Sequence, residues 1–245
     1  MDLKLSGLNV LVTGGTAGIG AAIVECFARE GANVAFCSRS QSKVDAMCQR
    51  MSVYNVTIRG ASVDINDAEA LADWVKSVGE LDIVVHNVSG LSTHDWQVMI
   101  DTDIKATASL IEAALPALKR SECGALTYIG SKVSTYGTPD FPVYAAGKAC
   151  ITHYMKSLSL ELGQDGIRVN VIAPGDIYFK DGAWDNIRKN MPDLYQKTVD
   201  SSLFGRLGTA EEIADSVVFI SSPVSSFTTG AHLLVDGGTS VHVQG

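Results

Sequence analysis

Seven short apolar runs, each parted from the next by a longer amphipathic stretch, constrain this chain more than any other feature. Asn9–Thr13, Asn33–Cys37, Val56–Asp64, Leu81–Val85, Ala125–Ile129, Arg168–Ile172 and His232–Val235 read as strands. Helices are predicted over about 18–30, 41–51, 67–78, 96–119, 144–162 and 210–220. In the first, Ile19, Ile23 and Phe27 recur every four residues, and Gly31 stands where a helix C-terminal glycine belongs. Strands that are apolar almost throughout are covered on both faces, and helices between them imply parallel pairing. The expectation is an α/β fold in one domain spanning 1–245, since no linker or low-complexity segment interrupts the rhythm.

Composition narrows the functional classes. With 46% apolar residues the chain can build a large core, which excludes intrinsic disorder. A formal charge of -8 argues against non-specific binding to nucleic acid or anionic lipid. The N-terminus has no apolar signal region and no stretch reaches eighteen apolar residues, so no secretory signal, no membrane span and a cytoplasmic location are expected. The five cysteines are widely spaced, and Cys26 and Cys37 fall in buried elements as small core residues. His86, His94, His153, His232 and His242 are dispersed without metal-ligand spacing, so no metal is expected.

The first strand runs into Thr13-Gly14-Gly15-Thr16-Ala17-Gly18-Ile19-Gly20. A strand, a glycine turn and a helix N-terminus make a phosphate site, because unpaired N–H groups and a partial positive charge face the turn. Glycines at 14, 18 and 20 let the backbone approach a pyrophosphate closely. The second strand ends on Ser38-Arg39 rather than on the acidic residue that would bind a ribose 2′-hydroxyl. Arg39 matches a 2′-phosphate, which favours NADP(H) over NAD(H), with NAD(H) still open. Asp64, closing the third strand, is placed to meet the adenine amino group.

Tyr144-Ala-Ala-Gly-Lys148 supplies the other half, with Ser131 thirteen residues before Tyr144 at the carboxyl end of the fifth strand. Residues four apart share a helix face. An ammonium beside a phenol favours the phenolate, and a serine hydroxyl can bond a substrate oxygen. Hydride from a nicotinamide and a proton from Tyr144 together reduce a carbonyl.

With these motifs, Arg168-Val-Asn170 leading to Pro174-Gly175 and the C-terminal Val235-Asp-Gly-Gly238, the chain resembles the short-chain dehydrogenase/reductase family over nearly its full length. The subgroup it is similar to is that of the 3-oxoacyl-carrier-protein reductases. The resemblance implies a single Rossmann-type doubly wound domain with a seven-stranded parallel sheet, and NAD(P)-dependent interconversion of a secondary alcohol and a ketone. It implies Ser131, Tyr144 and Lys148 as catalytic residues, with Lys148 also holding the nicotinamide ribose. For the cofactor it implies Thr16, Ile19, Ile65, Asn87, Pro174, Gly175 and backbone near Ile177, besides the glycines, Ser38, Arg39 and Asp64. It further implies a homotetramer or homodimer, often built through the helices at about 96–119 and 144–162.

Three positions depart from the family pattern. Ser89 replaces a glycine in His86-Asn87-Val88-Ser89, and Phe179 stands where a threonine usually helps hold the nicotinamide amide. Asp103 takes the place of an asparagine that supports a water leading to the lysine, so it joins the candidate catalytic set. The segment 176–208 carries Tyr178, Phe179, Trp184, Met191, Tyr195 and Phe204 and is expected to be a substrate-binding lid. Trp184 and Tyr178 facing the substrate would favour an apolar or ring-containing alcohol or ketone. Two alternatives stand beside this reading: a non-catalytic dinucleotide-binding sensor, and a sugar-nucleotide epimerase- or dehydratase-like enzyme.

Overall fold

The structure is a computed structural model that describes residues 1–241. His242 therefore lies outside the described residues. Seven strands form one sheet: β1 (Asn9–Thr13), β2 (Asn33–Ser38), β3 (Ile58–Ser62), β4 (Ile83–His86), β5 (Ala125–Ile129), β6 (Arg168–Pro174) and β9 (His232–Val235). Their order is β3-β2-β1-β4-β5-β6-β9, and every neighbouring pair is parallel. The strand order reverses between β1 and β4, so the carboxyl ends of these two strands open a crevice.

Helices cover both faces because the strands are apolar on both. On one side α1 (Gly18–Arg29), α2 (Gln41–Met51) and α9 (Ala210–Ser221) bury Ile23, Phe27, Met47 and Val217 against Val10, Val12 and Phe36. On the other, α3 (Ala68–Val78), α5 (Ala106–Leu118) and α6 (Pro142–Leu162) bury Leu71, Leu110 and Met155 against Leu11, Val84 and Tyr128. Gly31 ends α1 with φ +85°, a conformation that costs a glycine little. Among the described residues no helix is long and apolar enough to cross a membrane.

Two expectations from the sequence change. The third strand is shorter than 56–64, so Asp64 and Ile65 lie in the turn beyond it. The single helix over 96–119 is three pieces: α4 (Trp96–Val98), a π-helical stretch Met99–Lys105, and α5. Packing explains the break. Met99 fits against Gly147 of α6 so closely that a Cβ on Gly147 would lie 1.9 Å from its sulfur. The widened turn turns Asp103 inward, where it is fully buried, and the Thr107 hydroxyl bonds back to the Asp103 carbonyl. Such π turns often mark functional positions.

The segment after β6 holds two short strands, β7 (Ile177–Tyr178) and β8 (Gly208–Thr209), paired parallel, and two helices, α7 (Ala183–Asn190) and α8 (Pro192–Ser201). Its aromatic residues are mostly not exposed. Tyr178 and Trp184 each pack edge-on against Tyr195, and the Tyr178 hydroxyl donates to the buried Asp185 carboxylate at 3.0 Å. Asp185 also accepts from Lys189 and Arg188, and the bonds from Lys189 and next the Asp181 N–H hold its carboxyl well below the usual range. Tyr178 and Trp184 therefore build this segment's own small core instead of an open substrate wall.

Arg168 and Asn170 show why their motif sits in β6. The buried Arg168 guanidinium donates to the carbonyls of Ile220, Ser221, Ser222 and Ser225 at 2.6–3.2 Å. It thereby satisfies the open C-terminal end of α9. Asn170 bonds Thr228 O and Ala231 N, each at 3.0 Å, and so steers the chain into β9. Arg168→Met should lower unfolding stability in urea by about 3 kcal/mol or more, since buried carbonyls lose a charged donor. An unchanged urea midpoint would contradict this role.

His86 ties β4 to β1. The Thr13 hydroxyl accepts from Asn87 N at 3.0 Å and shares a hydrogen bond with His86 Nδ1 at 2.8 Å. The other ring nitrogen, Nε2, is buried with no hydrogen-bond partner. Burial first, and the Lys148 charge second, push the imidazole down to about 3. The folded state thus binds this proton less readily than the unfolded chain, and stability is lost as pH falls from about 6.5 toward 3. Replacing His86 with Asn should flatten that acid limb by about 1.4 kcal/mol per pH unit. Urea unfolding between pH 6 and pH 4 reads the difference, and parallel limbs would refute it.

Candidate active site

The glycine turn lies at the carboxyl end of β1, with α1 starting at Gly18. Gly20 has no room for a side chain: a Cβ there would lie 2.1 Å from the Gly14 carbonyl. Gly14 has φ +70°, which turns the strand into the crevice. Asn87, at the end of β4, donates to Thr13 O at 3.2 Å and Gly14 O at 3.4 Å and braces the turn. The sequence motif is thus a tight backbone cradle at a helix N-terminus, the geometry that accepts a pyrophosphate.

Beside it lies a cavity of about 400 Å³. Gly14, Thr16, Ser38, Arg39, Asp64 and Ile65 line it, as the sequence places them. Lys43 and Asn66 also line it, and sequence reasoning missed both. The signal for Lys43 was its place three residues after Ser40, the N-cap of α2, which turns the first helical turn toward the Arg39 loop. No carboxylate pairs with Arg39 or Lys43 among the described residues. A nucleotide fits what is present: a cradle that a Cβ would fill, a cavity next to it, and two unpaired cations at its far end.

The proton-transfer group assembles at the carboxyl end of β5. Ser131 follows that strand, and Tyr144 and Lys148 stand one turn apart on α6. Ser131 stands beside the Tyr144 phenol. Burial pushes that phenol up to about 12, the Ser131 side chain pulls it back, and the Asp103 charge raises it again. The Lys148 ammonium lies 5.7 Å from the centre of the Tyr144 ring. Lys148 is itself 1% exposed, so this charge is held inside the protein. Burial lowers its pKa and Asp103 opposes that shift.

Asp103 departs from a bystander's position. One carboxylate oxygen accepts from Gly90 N at 2.8 Å, and the other lies 3.5 Å from Lys148 Nζ. The structure therefore brings Asp103 together with Ser131, Tyr144 and Lys148. Tyr128 was missed from the sequence because it lies inside an apolar strand pattern and reads as core. Its hydroxyl accepts from Lys148 Nζ at 2.9 Å.

The remaining sequence candidates divide. Pro174 and Gly175 close β6 at the same edge of the sheet, with Gly175 N bonded to Val235 O at 3.0 Å. Ile177 is buried in β7 and packs on Gly208. Ile19 is half-buried at the start of α1, against the core. Phe179 lies over the cradle: a Cβ on Gly18 would come within 2.6 Å of its ring. Lys132, next to Ser131, forms an ion pair with Asp176 and bonds Thr239 at 3.2 Å, which fastens the root of the 177–209 segment to the Ser131 loop. Among the described residues no group of three or more His, Cys, Asp or Glu side chains is arranged to hold a metal.

A family model described as enoyl-(acyl carrier protein) reductase matches residues 14–240. The chain is 34% identical to isoepoxydon dehydrogenase patN of Aspergillus clavatus, over 98% of each protein. The fold matches the L-sorbose reductase of Gluconobacter frateurii, solved with NADPH and L-sorbose, with a TM-score of 0.92 at 27% identity over 99% of this chain and all of that one. It also matches a 7α-hydroxysteroid dehydrogenase solved with NADH and 7-oxo glycochenodeoxycholic acid, with a TM-score of 0.90 at 26% identity over 97% of this chain and 96% of that one. The braced glycine turn at the switch point, the tyrosine–lysine pair on α6 beside Ser131, and these full-length matches have one common meaning: the chain belongs to the short-chain dehydrogenase/reductase family and is an oxidoreductase acting on CH–OH groups.

Proposed function

We propose that this enzyme interconverts a secondary alcohol and a ketone, prefers NADP(H) to NAD(H), and uses Tyr144 as its acid and base. The observation that carries the reading is the half-buried Tyr144, its phenol under the influence of Ser131, one helical turn from a buried Lys148 and at the same sheet edge as the braced glycine turn. The nicotinamide, when bound, supplies or accepts the hydride.

Gly14, Thr16 and the N-terminus of α1 hold the pyrophosphate, and Asp64 and Ile65 face the adenine. Arg39 and Lys43 receive the 2′-phosphate, and Lys148 holds the nicotinamide ribose. With its phenol near 12, Tyr144 is protonated at neutral pH and is the proton donor for carbonyl reduction. Ser131 holds the substrate oxygen and then stabilises the phenolate that Tyr144 becomes. The Lys148 ammonium favours the same phenolate, and Asp103 tempers that effect.

The 176–208 segment serves as the substrate lid on this single domain. Its support is its position at the carboxyl edge of the sheet and its fastening through Lys132–Asp176 and the paired contacts of Arg206 with Glu212. An apolar or ring-containing substrate is supported by Leu91, Trp96, Tyr136 and Phe141. These side chains are exposed on segments that leave the carboxyl ends of β4 and β5. A homotetramer or homodimer through α5 and α6 is supported by the exposed Tyr154 and Leu160 of α6.

Tyr144→Phe should lower kcat for ketone reduction by about 10²- to 10⁴-fold, with NADPH affinity by fluorescence within about twofold. Retained turnover would remove the acid role. Arg39→Ala should cost about tenfold or more in kcat/KM with NADPH and leave NADH nearly unaffected. Equal wild-type kcat/KM for the two cofactors would end the NADP(H) preference.

A further inference from the structure

We propose that Tyr128 is a positioning residue of this active site: its buried hydroxyl and the Ile129 carbonyl take two protons of the Lys148 ammonium, beside the Asp103 carboxylate, and so set its charge state. This rests on Lys148 acting as the reading above assigns it, but its geometry stands independently.

An ammonium has three donors and no acceptor. Lys148 Nζ donates to Tyr128 Oη at 2.9 Å and to Ile129 O at 3.1 Å, and its ion-pair contact with Asp103 is 3.5 Å, at an oxygen that makes no hydrogen bond. Two protons are thus fixed by β5, and the carboxylate acts on the third through its charge. The Tyr128 ring lies beneath the same nitrogen, 4.7 Å from its centroid. Tyr128 is 0% exposed, so no water competes for its hydroxyl.

The surroundings are equally fixed. The His86 ring stacks on Tyr128 at 5.9 Å between centroids, and its Nε2 makes no hydrogen bond to Lys148 or Tyr128. The charged and titratable groups facing the pair are Asp103 from the π-helical stretch, His86 from β4, and Tyr144 and Cys150 from α6. Burial, and next the Asp103 charge, hold the Tyr128 phenol far above its ordinary value, so it stays neutral and accepts from Lys148. The Asp103 carbonyl is already bonded to the Thr107 hydroxyl. Side chains, more than a free backbone carbonyl, therefore govern the lysine here.

Two bonds are short, and Asp103 faces the ammonium at 3.5 Å without a hydrogen bond. The third proton is the one a ribose hydroxyl can receive, while Tyr128 and Ile129 keep the nitrogen anchored against β5.

The test is the titration of Lys148 in cofactor-free protein labelled with ¹³C at lysine Cε, followed by NMR. The Lys148 resonance is the one that Lys148→Met removes. Tyr128→Phe keeps the ring and deletes the acceptor, and should lower the Lys148 pKa by about one unit. Incorporating 3,5-difluorotyrosine at position 128 preserves shape and weakens the acceptor, so it should shift the titration the same way by less, even if the phenylalanine variant folds poorly. Asp103→Asn should also lower it, because a carboxylate is withdrawn. An unchanged Lys148 titration in both position-128 proteins overturns the assignment. Absence of any ketone reduction by the wild type defeats the alcohol–ketone reading and leaves this titration intact.

Discussion

A positive charge buried where sheet, catalytic helix and π-helical stretch meet is the constraint to which the rest of this active site answers. Lys148 has no water to solvate it, and a bare ammonium in such a place is costly. Its partners therefore come from two separate elements: Tyr128 and Ile129 from β5, and Asp103 from the helix break. Each imposes a demand elsewhere. Asp103 reaches the ammonium because the 99–105 stretch widens, and the stretch packs as it does because residue 147 is glycine and admits Met99. Asp103 also takes the Gly90 N–H, so the loop leaving β4 is held by the same carboxylate. Removing the charge would leave these contacts without a common purpose.

The other long-range device is Arg168, which performs on the structural side what Lys148 performs on the chemical side. Its guanidinium gathers the carbonyls of the α9 C-terminus from beneath the sheet, while the Thr127 hydroxyl bonds Ser221 at 2.7 Å. Helix α9 in turn packs along α1, whose N-terminus is the phosphate cradle. A cation in β6 thus fixes the helix that supports the nucleotide-binding turn from behind. Arg168 is satisfied by backbone carbonyls, which a substitution in a side chain cannot remove, whereas Lys148 depends on the side chains of Tyr128 and Asp103 as well as on the Ile129 carbonyl.

Much of this was legible in the amino-acid sequence because it depends on patterns with a fixed period. Seven apolar runs and the helices between them specified the sheet, and the glycine spacing at 14, 18 and 20 marked the cradle. Ser131, Tyr144 and Lys148 were recognisable because strand end and helical spacing both point the same way. Contacts that join distant elements were not legible. Tyr128 reads as one more apolar strand residue, and nothing local reveals that its hydroxyl meets a lysine twenty residues later. The π turn follows from Met99 meeting Gly147, a tertiary fact that overrides helical periodicity. The aromatics of 176–208 were visible, but their mutual packing around Tyr195 depends on a helix pair whose geometry no motif encodes.

Phe179 has the widest reach of the residues that break the family pattern. Its ring covers Gly18 and packs against Gly182 at the start of the segment that carries α7 and α8. One side chain therefore touches both the glycine turn at the start of α1 and the root of the segment that carries α7 and α8. The two are mechanically joined through a single phenyl ring, so the backbone at Gly18 and at Gly182 share one neighbour and neither can shift without the other feeling it.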